Sequence, residues 1–163
     1  MQTSGVIYVH SALPAICPHV EWALSGILKT RVSLSWTAQP AAPGHLRAEA
    51  SWVGDRGTGA RLAAALRSWK MLRFEVTENP SAGQDGERIC VVPGRPLWRA
   101  TMSANGDVLI GEDQLRSLVL AHPSVDALRH ALSQALGEHI DDELEAFRSA
   151  GEGSEVTWLH QVG

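Results

Sequence analysis

Alternation of apolar and polar residues, more than any motif, outlines the first half of this chain. Gly5 to Ser11 is rich in β-branched and aromatic residues and predicts a strand, broken by Pro14. Pro18 suits the first position of a helix, whose apolar stripe is Val20, Leu24, Ile27 and Leu28. Arg31 to Trp36 alternates, with Val32, Leu34 and Trp36 on one side, and predicts a second strand. The turn residues Pro40 to Gly44 separate it from a third, His45 to Val53, in which Leu46, Ala48, Ala50 and Trp52 point in and Arg47, Glu49 and Ser51 point out. The glycine-rich loop Gly54 to Gly59 leads into a helix over Ala60 to Trp69. A fourth strand, Met71 to Thr77, places Leu72, Phe74 and Val76 inside. The order βαββαβ predicts a ferredoxin-like half with an antiparallel sheet over residues 1–79.

The second half, residues 80–163, reads differently. After the turn-rich stretch Asn79 to Glu87 comes a short strand, Arg88 to Val92. Leu97–Met102 and Asp107–Ile110 form a hairpin around Asn105-Gly106. A short helix spans Glu112 to Leu120. Ser124 caps a long one, striped by Val125, Leu128, Leu132, Leu136, Ile140, Leu144 and Phe147 and bent near Gly137. Glu155 to Val162 closes the chain as a strand. The expected class is α+β: a ferredoxin-like half packed, as one unit, against a β-hairpin and helices.

Composition narrows the function. The 163 residues can bury a core without disulfides or metal, and 44% hydrophobic content excludes extended disorder. A net charge of −4 without a basic stripe argues against nucleic acid and against an anionic membrane surface as partners. The sheet has only Tyr8 to offer for base stacking. No positive, apolar leader opens the chain, and no apolar run approaches the roughly 20 residues that span a bilayer. Two cysteines, Cys17 and Cys90, fit reduced thiols in the cytoplasm. Six Trp against two Phe and one Tyr, with Lys29 and Lys70 the only lysines, reflect the codon usage of a high-GC genome. No motif implies a cofactor.

Three constellations could carry chemistry. Cys17 falls at the N-cap of the first helix, where the helix dipole favours a thiolate and His10 or His19 could serve as base. The plainer reading is a small buried residue. The same three side chains lack a fourth zinc ligand. In the glycine-rich loop, the N–H groups of Gly57, Thr58 and Gly59 with Arg56 and Arg61 could hold a phosphate or carboxylate. The loop has no P-loop Lys-Ser/Thr, and otherwise reads as a turn with Thr58 as cap. Strand parity, finally, puts Tyr8, His10, Arg47, Glu49, Arg73 and Glu75 on one sheet face, either as a ligand floor or as ion pairs covered by the second half. His139 and Glu143, at i and i+4, sit on the wet side of the long helix.

Several blocks taken together carry a family resemblance: Gly5-Val6-Ile7-Tyr8-Val9-His10-Ser11-Ala12, Cys17-Pro18-His19-Val20-Glu21-Trp22-Ala23, Gly57-Thr58-Gly59-Ala60-Arg61-Leu62, Leu72-Arg73-Phe74-Glu75-Val76-Thr77-Glu78 and Asn105 to Asp113. They resemble an actinobacterial family known as domain of unknown function 3145. The resemblance brings no activity, cofactor or catalytic residue. The nearness of family members to type II fatty-acid synthesis genes implies a role in lipid metabolism. With no nucleophile, base and stabiliser assembled by any motif, the expectation is a non-catalytic binding or accessory protein whose partner is a protein component of fatty-acid synthesis. The alternative is a small thiol-dependent enzyme acting on an acyl thioester through Cys17.

Overall fold

One long strand, β1 (Gln2–Ala12), organises the sheet. In the computed structural model, which describes residues 1–150 and the backbone of residues 156–160, β1 lies between β3 (Leu46–Asp55) and β4 (Arg73–Glu78), antiparallel to both. Period-two alternation sets the register. Ile7 faces Ala50 and Val76, and Val9 faces Ala48 and Phe74. These side chains are buried with Trp52 and Leu72 beneath two helices, α1 (Cys17–Leu28) and α2 (Thr58–Leu66). A one-residue slip would carry all of them to the other face, so the apolar pattern specifies the pairing. The face expected to be apolar is the one under the helices.

The alternation at Arg31–Trp36 does not make a strand. Val32 and Leu34 are buried, as the pattern required, but α1 supplies their hydrogen-bond partners. The Val32 N–H donates to Ser25 Oγ at 2.9 Å, and the Leu34 N–H and Trp36 indole donate to Glu21 Oε1 at 2.8 and 2.9 Å. Only β2 (Thr37–Ala38) pairs with β3. Burial accounts for the alternation, and side chains of α1 take the N–H groups of Val32 and Leu34 that a strand partner would otherwise take.

Beyond β4 the sheet continues without a break through β5 (Gly86–Val91), β6 (Trp98–Met102) and β7 (Val108–Leu109). The order is β2–β3–β1–β4–β5–β6–β7, and β8 (Val156–His160) pairs parallel to β3 on the edge it shares with β2. The hairpin at Asn105-Gly106 forms as expected, with Thr101 opposite Leu109. The chain is thus mixed α+β, with five helices among the described residues. The last three are α3 (Glu112–Ala121), α4 (Val125–Leu136) and α5 (Glu138–Ser149). The single bent helix expected over 125–147 is in fact two. Gly137, at φ 81°, ends α4 in the left-handed region, and a Cβ there would lie 2.6 Å from the Trp98 ring.

A small second core forms on the opposite sheet face, where Cys90, Val92 and Trp98 meet Ile140 and Leu144 of α5. β1 itself bulges between Val9 and Ala12, so one extra residue separates its pairing partners on β3 and β4 at the end where His10 lies.

Gly5 marks the tightest approach in the sheet. A Cβ at this position would stand 1.8 Å from the Thr77 carbonyl oxygen and 2.5 Å from the Trp52 ring. Gly5→Ala must therefore push β1 from β4 or displace a buried indole. Urea denaturation is expected to show a loss of about 3 kcal/mol, the size of a severe overpacking; a change under about 0.5 kcal/mol, typical of surface sites, would contradict this packing.

Candidate functional site

Tyr8, His10, Arg47, Glu49, Arg73 and Glu75 flank one another around β1, and the centre of this face, at His10 and Glu75, is closed. Tyr8 sits opposite both Glu49 and Glu75, and its ring stacks parallel to His10 with centroids 6.0 Å apart. Arg73 donates to Ser11 Oγ at 3.2 Å, with its guanidinium 4.0 Å over the Phe147 ring. Arg47 is buried. His10 is only 2% exposed and Glu75 5%, so neither can meet a ligand without movement of what covers them. The covering element is α5: Gln39 Nε2 donates both to the His10 carbonyl, at 2.8 Å, and to the Phe147 carbonyl, at 3.3 Å. Of the two readings of this face, burial of His10 and Glu75 under α5 favours the structural one, with Tyr8, Glu49 and Arg73 half-buried.

At its centre the Glu75 carboxylate collects four neighbours. His10 Nε2 lies 2.6 Å from Oε2. Arg148 donates to both oxygens, Nε to Oε2 at 2.9 Å and Nη2 to Oε1 at 2.5 Å. Arg88 donates to Oε1 through Nη2 at 2.9 Å, and the Cys90 thiol donates to it at 3.3 Å. Asp141 then accepts from both arginines, at 2.5 Å from Arg88 and 2.9 Å from Arg148. Two carboxylates face two guanidiniums, so the buried charge is compensated. Burial pushes the Glu75 carboxyl up, but the His10 and Arg148 hydrogen bonds and charges outweigh it and hold the group well below the usual carboxylate range. Burial pushes the Cys90 thiol far up, and the adjacent Glu75 adds to it.

The sequence reading placed Tyr8, His10, Arg73 and Glu75 together and missed Arg88, Cys90, Asp141 and Arg148. Two signals pointed to them. Arg88 and Cys90 alternate with Ile89 on β5, and Asp141 and Arg148 are seven residues apart, on one side of a helix. Asp141, half-buried on α5, is bound into the network by both arginines.

Cys17 is not the N-cap. Ile16 is, and Cys17 is the first residue of α1, 5% exposed, its thiol directed at the Leu13 carbonyl at 3.6 Å. Burial raises its pKa, and Glu21 raises it further. His10 belongs to the opposite sheet face, and His19 is exposed beside Trp69, ring centroids 6.3 Å apart. The proposed thiolate and its bases are not assembled. Among the described residues no three His, Cys, Asp or Glu side chains gather as a metal set.

The glycine-rich loop does gather its N–H groups on an anion, and the anion is the protein's own. Glu78 accepts from the Gly57 N–H through Oε1 and from the Gly59 N–H through Oε2, both at 2.8 Å. Glu78 is 8% exposed. Arg61 turns to Thr58 Oγ1 at 2.7 Å, and Arg56 to Ser81 Oγ at 3.0 Å. The helix cap is Gly57, not Thr58. An external phosphate would have to displace a buried carboxylate.

Among the open surfaces of the described residues, one lies on the outer side of α1 and α2. A groove of about 840 Å³ runs between α1 and α2, with Trp22, Ala23, Gly26, Ala65, Ser68 and Trp69 in its lining. Trp22 is 76% exposed. Trp69 also lines an adjoining apolar cleft with Leu13 and Met71. Sequence reasoning missed this surface because a single stripe on each helix accounted for its core residues, and Trp22 stood outside the stripe without being weighed.

The sequence pattern of a family described as protein of unknown function (DUF3145) matches residues 6–161. No curated protein and no solved structure matches the chain. No helix among the described residues is long and apolar enough to cross a membrane.

Two expectations follow from the closed face and the buried thiols. Glu75→Gln leaves Arg88, Arg148 and His10 facing a neutral amide, and is expected to cost about 3 kcal/mol in urea denaturation, as breaking one side of a buried pair does. Because the folded carboxyl is depressed, its contribution is complete above the unfolded value of about 4.3 and is lost as pH falls below it. The wild-type acid limb of stability against pH should be steeper than that of Glu75→Gln; equal slopes would contradict the network. Neither Cys17 nor Cys90 should react with a disulfide reagent at pH 8 in the folded chain, both appearing on addition of denaturant. A fast-reacting thiol in the native protein would restore the thiolate reading of Cys17.

Proposed function

The chain belongs to the DUF3145 family, a membership that assigns no chemistry to any residue, and from its own geometry we propose that it is a non-catalytic binding protein working through the α1–α2 groove. The observation that carries this is a contrast. His10 and Glu75 are engaged with each other inside the fold and the glycine-rich loop with Glu78, whereas the outer side of α1 and α2 offers an apolar groove walled by Trp22 and Trp69. Tryptophan at 76% exposure leaves a large apolar area in water, and such side chains dominate binding energy where proteins meet.

Residues 1–79 are, in this proposal, a ferredoxin-like unit: β1 is flanked by β3 and β4, with both helices on one face as a platform. The chain serves as an accessory protein to fatty-acid synthesis, a role supported by the family resemblance of the sequence blocks around Cys17-Pro18-His19 and Leu72 to Glu78. A thiol enzyme acting on an acyl thioester would need a thiolate at Cys17, and burial and Glu21 oppose one.

Purification of the tagged chain from its host tests the proposal. A lipid-synthesis protein is expected in stoichiometric amount, retained by Leu120→Ser on α3, where Leu120 is 84% exposed, and reduced at least tenfold by Trp22→Ala. Retention of the partner by Trp22→Ala would move the binding surface elsewhere. Hydrolysis of an acyl thioester by the purified chain, lost in Cys17→Ser, would overturn the non-catalytic reading.

A further inference from the structure

We infer that the α1–α2 groove receives an acidic amphipathic helix from the partner protein, an inference that rests on the binding reading above. Shape is the first argument. Sites for small molecules enclose most of their ligand, whereas this groove is open along two helices packed side by side. The twelve residues of α1 give it a length of roughly 18 Å. An apolar helix face laid between two helices is a recurrent mode of recognition, with anchors spaced at i, i+3, i+4 and i+7.

Charge is the second. The chain carries −4 overall, yet no Asp or Glu is among the residues lining the groove, while Lys29 and Arg31 are. Lys70 lines the adjoining cleft, which shares Trp69 with the groove. The carboxylate of α1, Glu21, is turned to the Leu34 N–H and the Trp36 indole. Residues 1–74 hold eight Lys/Arg against three Asp/Glu, and residues 75–163 six against fifteen. A basic rim on an acidic chain selects a partner segment of negative charge.

Gly26 is the third. It lies within α1, exposed, where glycine costs about 1 kcal/mol against alanine. A Cβ there would meet nothing within 4 Å, and its φ is not positive, so neither packing nor backbone conformation in this chain requires glycine. It lines the groove, and an absent side chain lets another backbone come close.

The test uses the whole chain and a displayed library of helical 16-residue peptides with one randomised face. Selection is expected to enrich helices with an apolar stripe and net charge of −3 or below. Their Kd should rise at least tenfold for Gly26→Leu and for the pair Lys29→Glu with Lys70→Glu, and should rise with added salt. Urea denaturation should find Gly26→Leu as stable as wild type or more so, which separates lost binding from lost folding. Enrichment of neutral or basic helices, or of none, overturns the inference. If the native partner is still released by Gly26→Leu in that case, the groove stands as the binding surface and only the acidic helix is wrong. Binding indifferent to Gly26→Leu removes both. Binding of phosphatidylglycerol vesicles with the same dependence on Lys29 and Lys70, in place of peptides, would make the occupant a membrane surface and overturn the inference as well.

Discussion

A single buried carboxylate holds the two halves of this protein in register. Glu75 sits on β4, takes His10 from β1, Arg88 and Cys90 from β5, and Arg148 from α5. An anion taken out of water is costly unless every lone pair finds a donor. Here each oxygen does, so the arrangement of four elements is dictated by one group's need for partners. The apolar contacts on that face are few, being Cys90, Val92 and Trp98 against Ile140 and Leu144. Hydrophobic burial alone would tolerate α5 at several orientations, because it is non-directional. The paired guanidiniums of Arg88 and Arg148, bridged by Asp141, admit one.

The same strand supplies a second internal anion. Three residues on, Glu78 fills the glycine-rich turn before α2. β4 therefore ties down the far face through one glutamate and the start of a helix through the other. The glycine-rich loop and the centre of the polar face are thus occupied by the chain itself. The groove between α1 and α2, by contrast, is lined by Trp22 and Trp69 with Lys29 and Arg31.

How much could be read beforehand depended on which force set the local structure. In β1, β3 and β4 burial on one face sets a period of two, and the side on which Ile7, Val9, Phe74 and Tyr8 lie was legible. At Val32 and Leu34 the same period arose from packing an extended segment on α1, and the pattern cannot distinguish that from pairing. Gly137 was legible as a disturbance but not as a break, since its left-handed φ and the Trp98 ring against it are tertiary facts. The partners of Glu75 come from 13 and 73 residues away, and no local rule reaches that far. The Gly54–Gly59 loop reads from sequence as a turn or as an anion site, and nothing local says that Glu78 fills it.

One further property lies in the edge of β3. Its outer backbone is divided between β2, which takes Leu46 and Arg47, and β8, which takes Glu49 to Val53 in parallel. A parallel neighbour cannot arrive by a hairpin, and this one is drawn from more than 100 residues later in the chain. During synthesis the stretch from Glu49 to Val53 must wait, with its N–H and C=O groups unpaired, until residues 156–160 have left the ribosome. An exposed strand edge of that kind templates the addition of foreign strands. Nascent or clipped forms lacking the last strand would thus be the aggregation-prone species of this protein, and slow long-range closure, not the helical platform, would govern its yield.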